Sequence, residues 1–158
     1  MNTLESELGE ILIKKKLTIA TAESCTGGLI ANRITNIPGS SKYFESGLIT
    51  YSNQSKIELL NVPEDIIKQN GAVSRECARA MALGIKALVK TDLGLAVTGI
   101  AGPSGGIPEK PVGLVYIAFA LDDSIEIREF KFNGNRLEIK QQTSDEALKL
   151  ILRCLNKN

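Results

Sequence analysis

Two potential nucleophiles stand side by side in the stretch TAESCTGG, residues 21–28, as Ser24 and Cys25. A hydroxyl or thiol becomes an effective nucleophile only when a neighbour takes or holds off its proton. The commonest such neighbour is histidine, and the 158-residue chain contains none. Ser-His-Asp and Cys-His mechanisms are therefore excluded for this chain acting alone. The bases that remain are a lysine with a lowered pKa or a carboxylate. The segment ITYSNQSK supplies a lysine: Tyr51 closes an apolar run and Lys56 falls in about the first turn of the helix that follows. The positive end of a helix dipole and partial burial both disfavour an ammonium, which leaves a neutral amine able to accept the serine proton. Tyr51 is placed to orient that lysine or to relay the proton.

Each of these residues also has a plainer reading. Ser24 or Thr26 suits the cap of the next helix, and Lys56 suits a solvated helix face. The three cysteines, Cys25, Cys77 and Cys154, are widely spaced in apolar or helical contexts and suit small core residues. Neither a zinc site nor a disulfide framework is expected, and no metal or cofactor. Between the two nucleophiles the residues favour Ser24. Cys25, one position along, should turn toward the core, and no cation stands near it in sequence to hold a thiolate. Glu23 is the competing base, but as the immediate neighbour of Ser24 it should project to the opposite face.

Ser24 sits where an apolar strand gives way to a helix, at the sheet edge where open α/β sheets bind ligands. The amides of Cys25, Thr26 and Gly27 would there face an oxyanion or a phosphate. Small residues, with Gly27 and Gly28 foremost, let a substrate approach the backbone. A second glycine-rich stretch, TGIAGPSGGIPEKPVG (98–113), follows another apolar run. Its Thr98, Gly99, Gly102, Gly105 and Gly106 are candidates for a nest of amides around an anion. The pattern matches neither a P-loop nor a dinucleotide fingerprint, so it describes a structural loop equally well. Its length favours binding. Arg136, at the start of the last helix, either joins this site or carries a solvated guanidinium.

The elements that must position these residues are legible as an alternation. Helical spacing covers 3–16, 27–37, 53–61, 63–69, 74–91 (with Ser74 as N-cap) and 136–156. Strand-like runs cover 17–22, 43–52, 93–99, 112–121 and 125–132, the last two joined across a DDS turn. Interleaved strands and helices ending in an antiparallel pair predict one α/β domain, a three-layer α/β/α sandwich with a mixed sheet. Strand order does not follow from the sequence. The 19 basic residues nearly balance the 18 acidic ones, which argues against nucleic-acid or anionic-membrane partners. The N-terminal segment has no signal-peptide pattern and no run approaches a bilayer span, so a cytoplasmic location is expected.

The stretches TAESCTGG, GLITYSNQSK, GAVSRECARAMALG, VTGIAGPSGGIPEKPVGLVYIA and GNRLEIKQQTSDEAL together resemble the CinA C-terminal domain family, the PncC-type nicotinamide mononucleotide deamidases. The resemblance runs in order over roughly residues 4–153. It implies a stand-alone domain that hydrolyses the carboxamide of nicotinamide mononucleotide to nicotinic acid mononucleotide and ammonia, without a metal. It also implies a serine nucleophile at Ser24, a lysine and tyrosine at Lys56 and Tyr51, and self-association into a homo-oligomer. A binding module for a phosphorylated metabolite, or an interaction protein linked to competence and DNA damage, is the alternative. The chain departs from the family pattern at Ile107, where a small polar residue is frequent, at Asn135, where aspartate is usual, and at Lys140, where a second arginine is common.

Overall fold

The computed structural model describes residues 2–157. In chain order these form α1 (Leu4–Lys15), β1 (Ile19–Glu23), α2 (Leu29–Thr35), β2 (Phe44–Ile49), α3 (Asn53–Leu60) and α4 (Glu64–Asn70). There follow α5 (Arg75–Val89), β3 (Leu93–Gly99), β4 (Leu114–Leu121), β5 (Ser124–Lys131) and α6 (Arg136–Asn156). The strands make one sheet in the order β2-β1-β3-β4-β5. β1 runs parallel to both β2 and β3, whereas β4 and β5 are antiparallel additions, so the sheet is mixed as expected.

Strand alternation sorts residues by size onto the two faces of this sheet. Ile19, Leu93, Leu95, Val97, Ile117 and Phe119 join one buried cluster with Leu8 and Leu12 of α1, Ile30 and Ile34 of α2, and Leu148 and Ile151 of α6. The opposite face is built from Ala20, Ala22, Ala96, Ala118 and Ala120, against Cys77, Ala78, Met81, Ala82 and Ile85 of α5. Those five helix positions recur at one-face spacing, the stripe that drives an amphipathic helix onto a sheet. Because the facing strand residues are small, α5 lies unusually close. A Cβ on Gly94 would stand 2.4 Å from the carbonyl oxygen of Ala82. Helices α1, α2 and α6 therefore form one layer, the sheet a second, and α3–α5 the third.

The path of the chain places a crevice at the carboxyl end of β1. From β1 the chain crosses by α2 to β2 on one side, then returns by α3–α5 to β3 on the other. Such a switch point is where open α/β sheets gather their ligands.

Two of the expected boundaries move in ways that matter to that crevice. Helix α2 opens at Leu29 instead of at residue 27, because Gly27 (φ 61°) and Gly28 (φ 101°) take left-handed conformations that no α-helical turn accepts. β2 ends at Ile49, short of residue 52. Thr50 still donates its amide to Glu23 O (2.9 Å), after which the chain turns and Ser52 caps α3. No helix among the described residues is long and apolar enough to cross a membrane.

Candidate active site

Ser24 is the first residue beyond β1. Its amide donates to Val97 O at 3.1 Å, which ties it to the end of β3. Its hydroxyl oxygen lies 3.1 Å from Lys56 Nζ, on the α3 side of the sheet. The hydroxyl makes no cap bond to α2, whose N-cap position is Gly28. The capping reading of Ser24 is thus not realised.

Lys56, on the second turn of α3, is 1% exposed. Its amine donates to Thr50 O (2.8 Å) and Tyr51 O (3.2 Å), with Ser52 O at 3.5 Å. Burial pulls its pKa below the ordinary lysine value; the neighbouring thiols of Cys77 and Cys25 act in the opposite direction and lose to burial. A neutral amine has two N–H donors and one lone pair. In that neutral form two close carbonyls would occupy the donors and leave the lone pair for the hydroxyl of Ser24, whose oxygen here accepts from Nζ.

Cys25 takes the opposite course. It is 5% exposed and joins the α1–α2–α6 cluster, pointing away from Ser24 as its position in sequence suggested. Burial, reinforced by the charge of Glu23, pushes its thiol up to about 12, although Lys56 and Lys140 pull it down. Burial likewise holds Cys77 at about 11. Both stay protonated at neutral pH, and a protonated thiol is a poor nucleophile.

Tyr51 holds the lysine through its backbone carbonyl. Its exposed ring carries the hydroxyl elsewhere, to accept from Arg136 Nη2 at 2.9 Å. The hydroxyl therefore does not touch Lys56, and a direct proton relay through it is not built. Arg136 also donates from Nη1 to Gly102 O at 2.8 Å. One guanidinium thus straps the start of α6 to the tyrosine and to the glycine-rich loop.

A cavity of about 200 Å³ opens beside the pair. Ser24, Cys25, Tyr51, Lys56, Thr98, Gly99 and Arg136 line it. So do Asn53, Ala72, Val73 and Ala101, none of which the sequence had singled out. Asn53 directly follows the cap of α3, a position only the folded turn brings inward. A larger apolar groove of about 460 Å³ lies between Leu60, Ile66 and Leu83, but it holds no nucleophile–base pair.

The remaining sequence candidates fall outside the cavity or are already engaged. Thr98 spends its hydroxyl on Ala72 O at 2.9 Å. The amide of Gly27 donates to Ser24 O (3.1 Å), whereas the amides of Cys25, Thr26 and Gly28 find no backbone acceptor among the described residues. Gly105 and Gly106 sit on the exposed outer part of the loop, apart from the cavity, beside the isolated bridge between Ile107 and Lys110. Asn135 caps α6: its side-chain oxygen accepts from Glu138 N at 3.0 Å, a task asparagine performs as well as aspartate. Lys140, one turn beyond Arg136, brings Nζ to 3.7 Å from where a Cβ on Gly27 would lie.

Fold and site together define a class: a three-layer α/β domain with a serine–lysine pair at the switch point of its sheet. The model of the CinA C-terminal domain matches residues 1–155, and the chain belongs to that family. A Moorella thermoacetica relative with "competence-damage inducible protein" in its name is 52% identical over 154 residues, covering 98% of this chain and 37% of that protein. A CinA-like protein of Syntrophus aciditrophicus is 51% identical over 154 residues, again with 37% of its length covered. The chain therefore spans little more than a third of the length of these curated relatives. Among solved structures, the competence/damage inducible protein CihA of Agrobacterium tumefaciens superposes with a TM-score of 0.90 at 39% identity, covering 99% of this chain and 98% of that one. A CinA superfamily protein of Klebsiella pneumoniae reaches 0.95 at 29% identity, covering 98% and 97%.

Proposed function

We propose that this domain is a serine–lysine amidohydrolase that converts nicotinamide mononucleotide to nicotinic acid mononucleotide and ammonia. The observation that carries the reading is the 3.1 Å approach of a fully buried lysine to a serine hydroxyl in a cavity at the sheet's switch point. Lys56 takes the proton of Ser24 as Oγ attacks the carboxamide carbon. The resulting ammonium keeps donating to Thr50 O and Tyr51 O and offers its third proton to the departing nitrogen, which leaves as ammonia. The ester left on Ser24 is then opened by water, with Lys56 again the base.

The amide of Cys25, which lacks a backbone acceptor and borders the cavity, is the donor for the oxyanion. Loss of one such donor costs roughly a hundred- to a thousandfold in rate. The cavity of about 200 Å³ is smaller than the roughly 300 Å³ at which ordinary ligand pockets begin. It suits the pyridine ring and carboxamide, with the ribose phosphate outside, where Arg136 and Lys140 present positive charge. The direct test is to follow ammonia and nicotinic acid mononucleotide with wild type and Lys56→Ala. Turnover that collapses in the variant supports the reading. Equal turnover in both, or an unaltered nucleotide with folded wild type across a range of pH, contradicts it.

A further inference from the structure

We propose that Glu23 is a positioning residue for Ser24: its carboxylate occupies the N-terminal amides of α2 and so fixes the turn that brings the serine hydroxyl to Lys56. The inference rests on Ser24 and Lys56 being the reacting pair. Alternation along β1 turns Glu23 to the α2 face and Ser24 to the α3 face. Glu23 is 1% exposed. One carboxylate oxygen accepts from Thr26 Oγ1 (2.6 Å) and from Ile30 N (2.9 Å), and the other accepts from Ala31 N (2.9 Å). Glu23 has no ion-pair partner among the described residues, so these three donors are what compensate its burial.

A helix is ordinarily capped by a small polar side chain at its N-cap. Here that position is a left-handed glycine, Gly28, with no side chain to offer. The cap comes instead from a residue seven positions before Ile30, and the chain between them is the turn that holds Ser24. With left-handed glycines at Gly27 and Gly28, that turn is otherwise held by Ser24 N on Val97 O, Gly27 N on Ser24 O and Leu29 N on Thr26 O, none of which fixes the start of α2 to the sheet as Glu23 does. The same residue accepts the amide of Thr50 at its carbonyl, and Thr50 O in turn accepts from Lys56. Glu23 thus lies between the anchor points of both members of the pair. It also follows that the first free amides of α2 are already taken, so the anionic part of a substrate does not bind there.

The test compares wild type with Glu23→Gln, Thr26→Val and Thr26→Ser in two assays. One is turnover of nicotinamide mononucleotide. The other is phosphonylation of Ser24 by a fluorophosphonate probe, read by the mass of the peptide containing residues 21–28. Glutamine keeps one acceptor but sets a donor against the amide of Ala31. A displacement of about 1 Å at the reacting atoms costs on the order of a hundredfold, so Glu23→Gln and Thr26→Val are expected to lower kcat roughly ten- to a hundredfold, with KM little changed. Phosphonylation should fall in proportion, while Thr26→Ser, which keeps the hydroxyl, stays near wild type. The proposal is overturned if Glu23→Gln melts earlier yet keeps wild-type kcat and labelling, for it is then only a helix cap. If Glu23→Gln does not fold, equal kcat and labelling in Thr26→Val and Thr26→Ser overturn it instead. Wild type that labels at Ser24 without hydrolysing the nucleotide removes the substrate reading alone, and labelling then decides the positioning role. Wild type that shows neither removes both.

Discussion

In the proposed reaction Lys56 is the base, and its protonation follows from burial. An unfolded lysine holds its proton up to about the ordinary value, whereas burial makes Lys56 release it at lower pH in the folded chain. Between those two values the unfolded state binds more protons, so stability rises with pH across that window. Below the folded pKa the cost of burying an ammonium is present in full. The base must be neutral to act, so kcat/KM should climb with pH through the same lowered pKa. A pH profile that climbs only above the ordinary lysine range would contradict this. For Cys25 the expectation is inertness: with its thiol at about 12, alkylation by iodoacetamide in the folded protein should be far slower than for a free thiol. Much at this scale was legible in sequence. The absence of histidine beside Ser24 left a lysine or a carboxylate as base, and ITYSNQSK offered one. What stayed hidden were bonds to the main chain: the carbonyl of Tyr51, not its hydroxyl, meets Lys56, and the Glu23 carboxylate reaches backbone amides seven residues along the chain to cap a helix.

Elements set how much a change away from the serine is felt. Arg136 joins α6, Tyr51 and the glycine-rich loop through two charge-assisted hydrogen bonds. A hydrogen bond to a charged group is worth about 1.5–3 kcal/mol, so Arg136→Lys, whose single ammonium cannot span both acceptors, should raise KM about tenfold or more. Tyr51→Phe removes the hydroxyl and leaves the carbonyl on Lys56, so kcat should fall far less than in Lys56→Ala. Steady-state kinetics on the three variants separate these effects. In the third layer, a Cβ on Gly84 would stand 2.1 Å from Leu60 O. Overpacking of this kind costs about 1–3 kcal/mol, and Gly84→Ala should melt several degrees below wild type in a thermal scan. Helix and strand identities followed from periodicity. Their ends did not, because the left-handed glycines before α2 and the turn after β2 answer to Glu23 and Lys56, partners distant in sequence.

At the scale of the whole molecule, charge and topology carry separate lessons. With 19 basic against 18 acidic residues the net charge is near zero, so duplex DNA should not be retained even at about 50 mM salt, where nonspecific binding is strong. A gel-shift titration checks this and bears on the alternative of an interaction protein linked to competence and DNA damage. The three layers were legible, but the strand order was not, since β1 pairs with β3 across a long stretch of intervening chain and only the assembled sheet reveals the switch point. That switch point gathers Ser24, Lys56 and Arg136 from three separate segments. Whether Ser24 or Cys25 is the nucleophile is tested most directly by turnover of nicotinamide mononucleotide in Ser24→Ala and Cys25→Ala, each confirmed folded. The expected result is loss of at least about a thousandfold in Ser24→Ala, the scale of removing a catalytic nucleophile, with Cys25→Ala within a few-fold of wild type. Near-normal turnover by Ser24→Ala, or a dead Cys25→Ala, would contradict it.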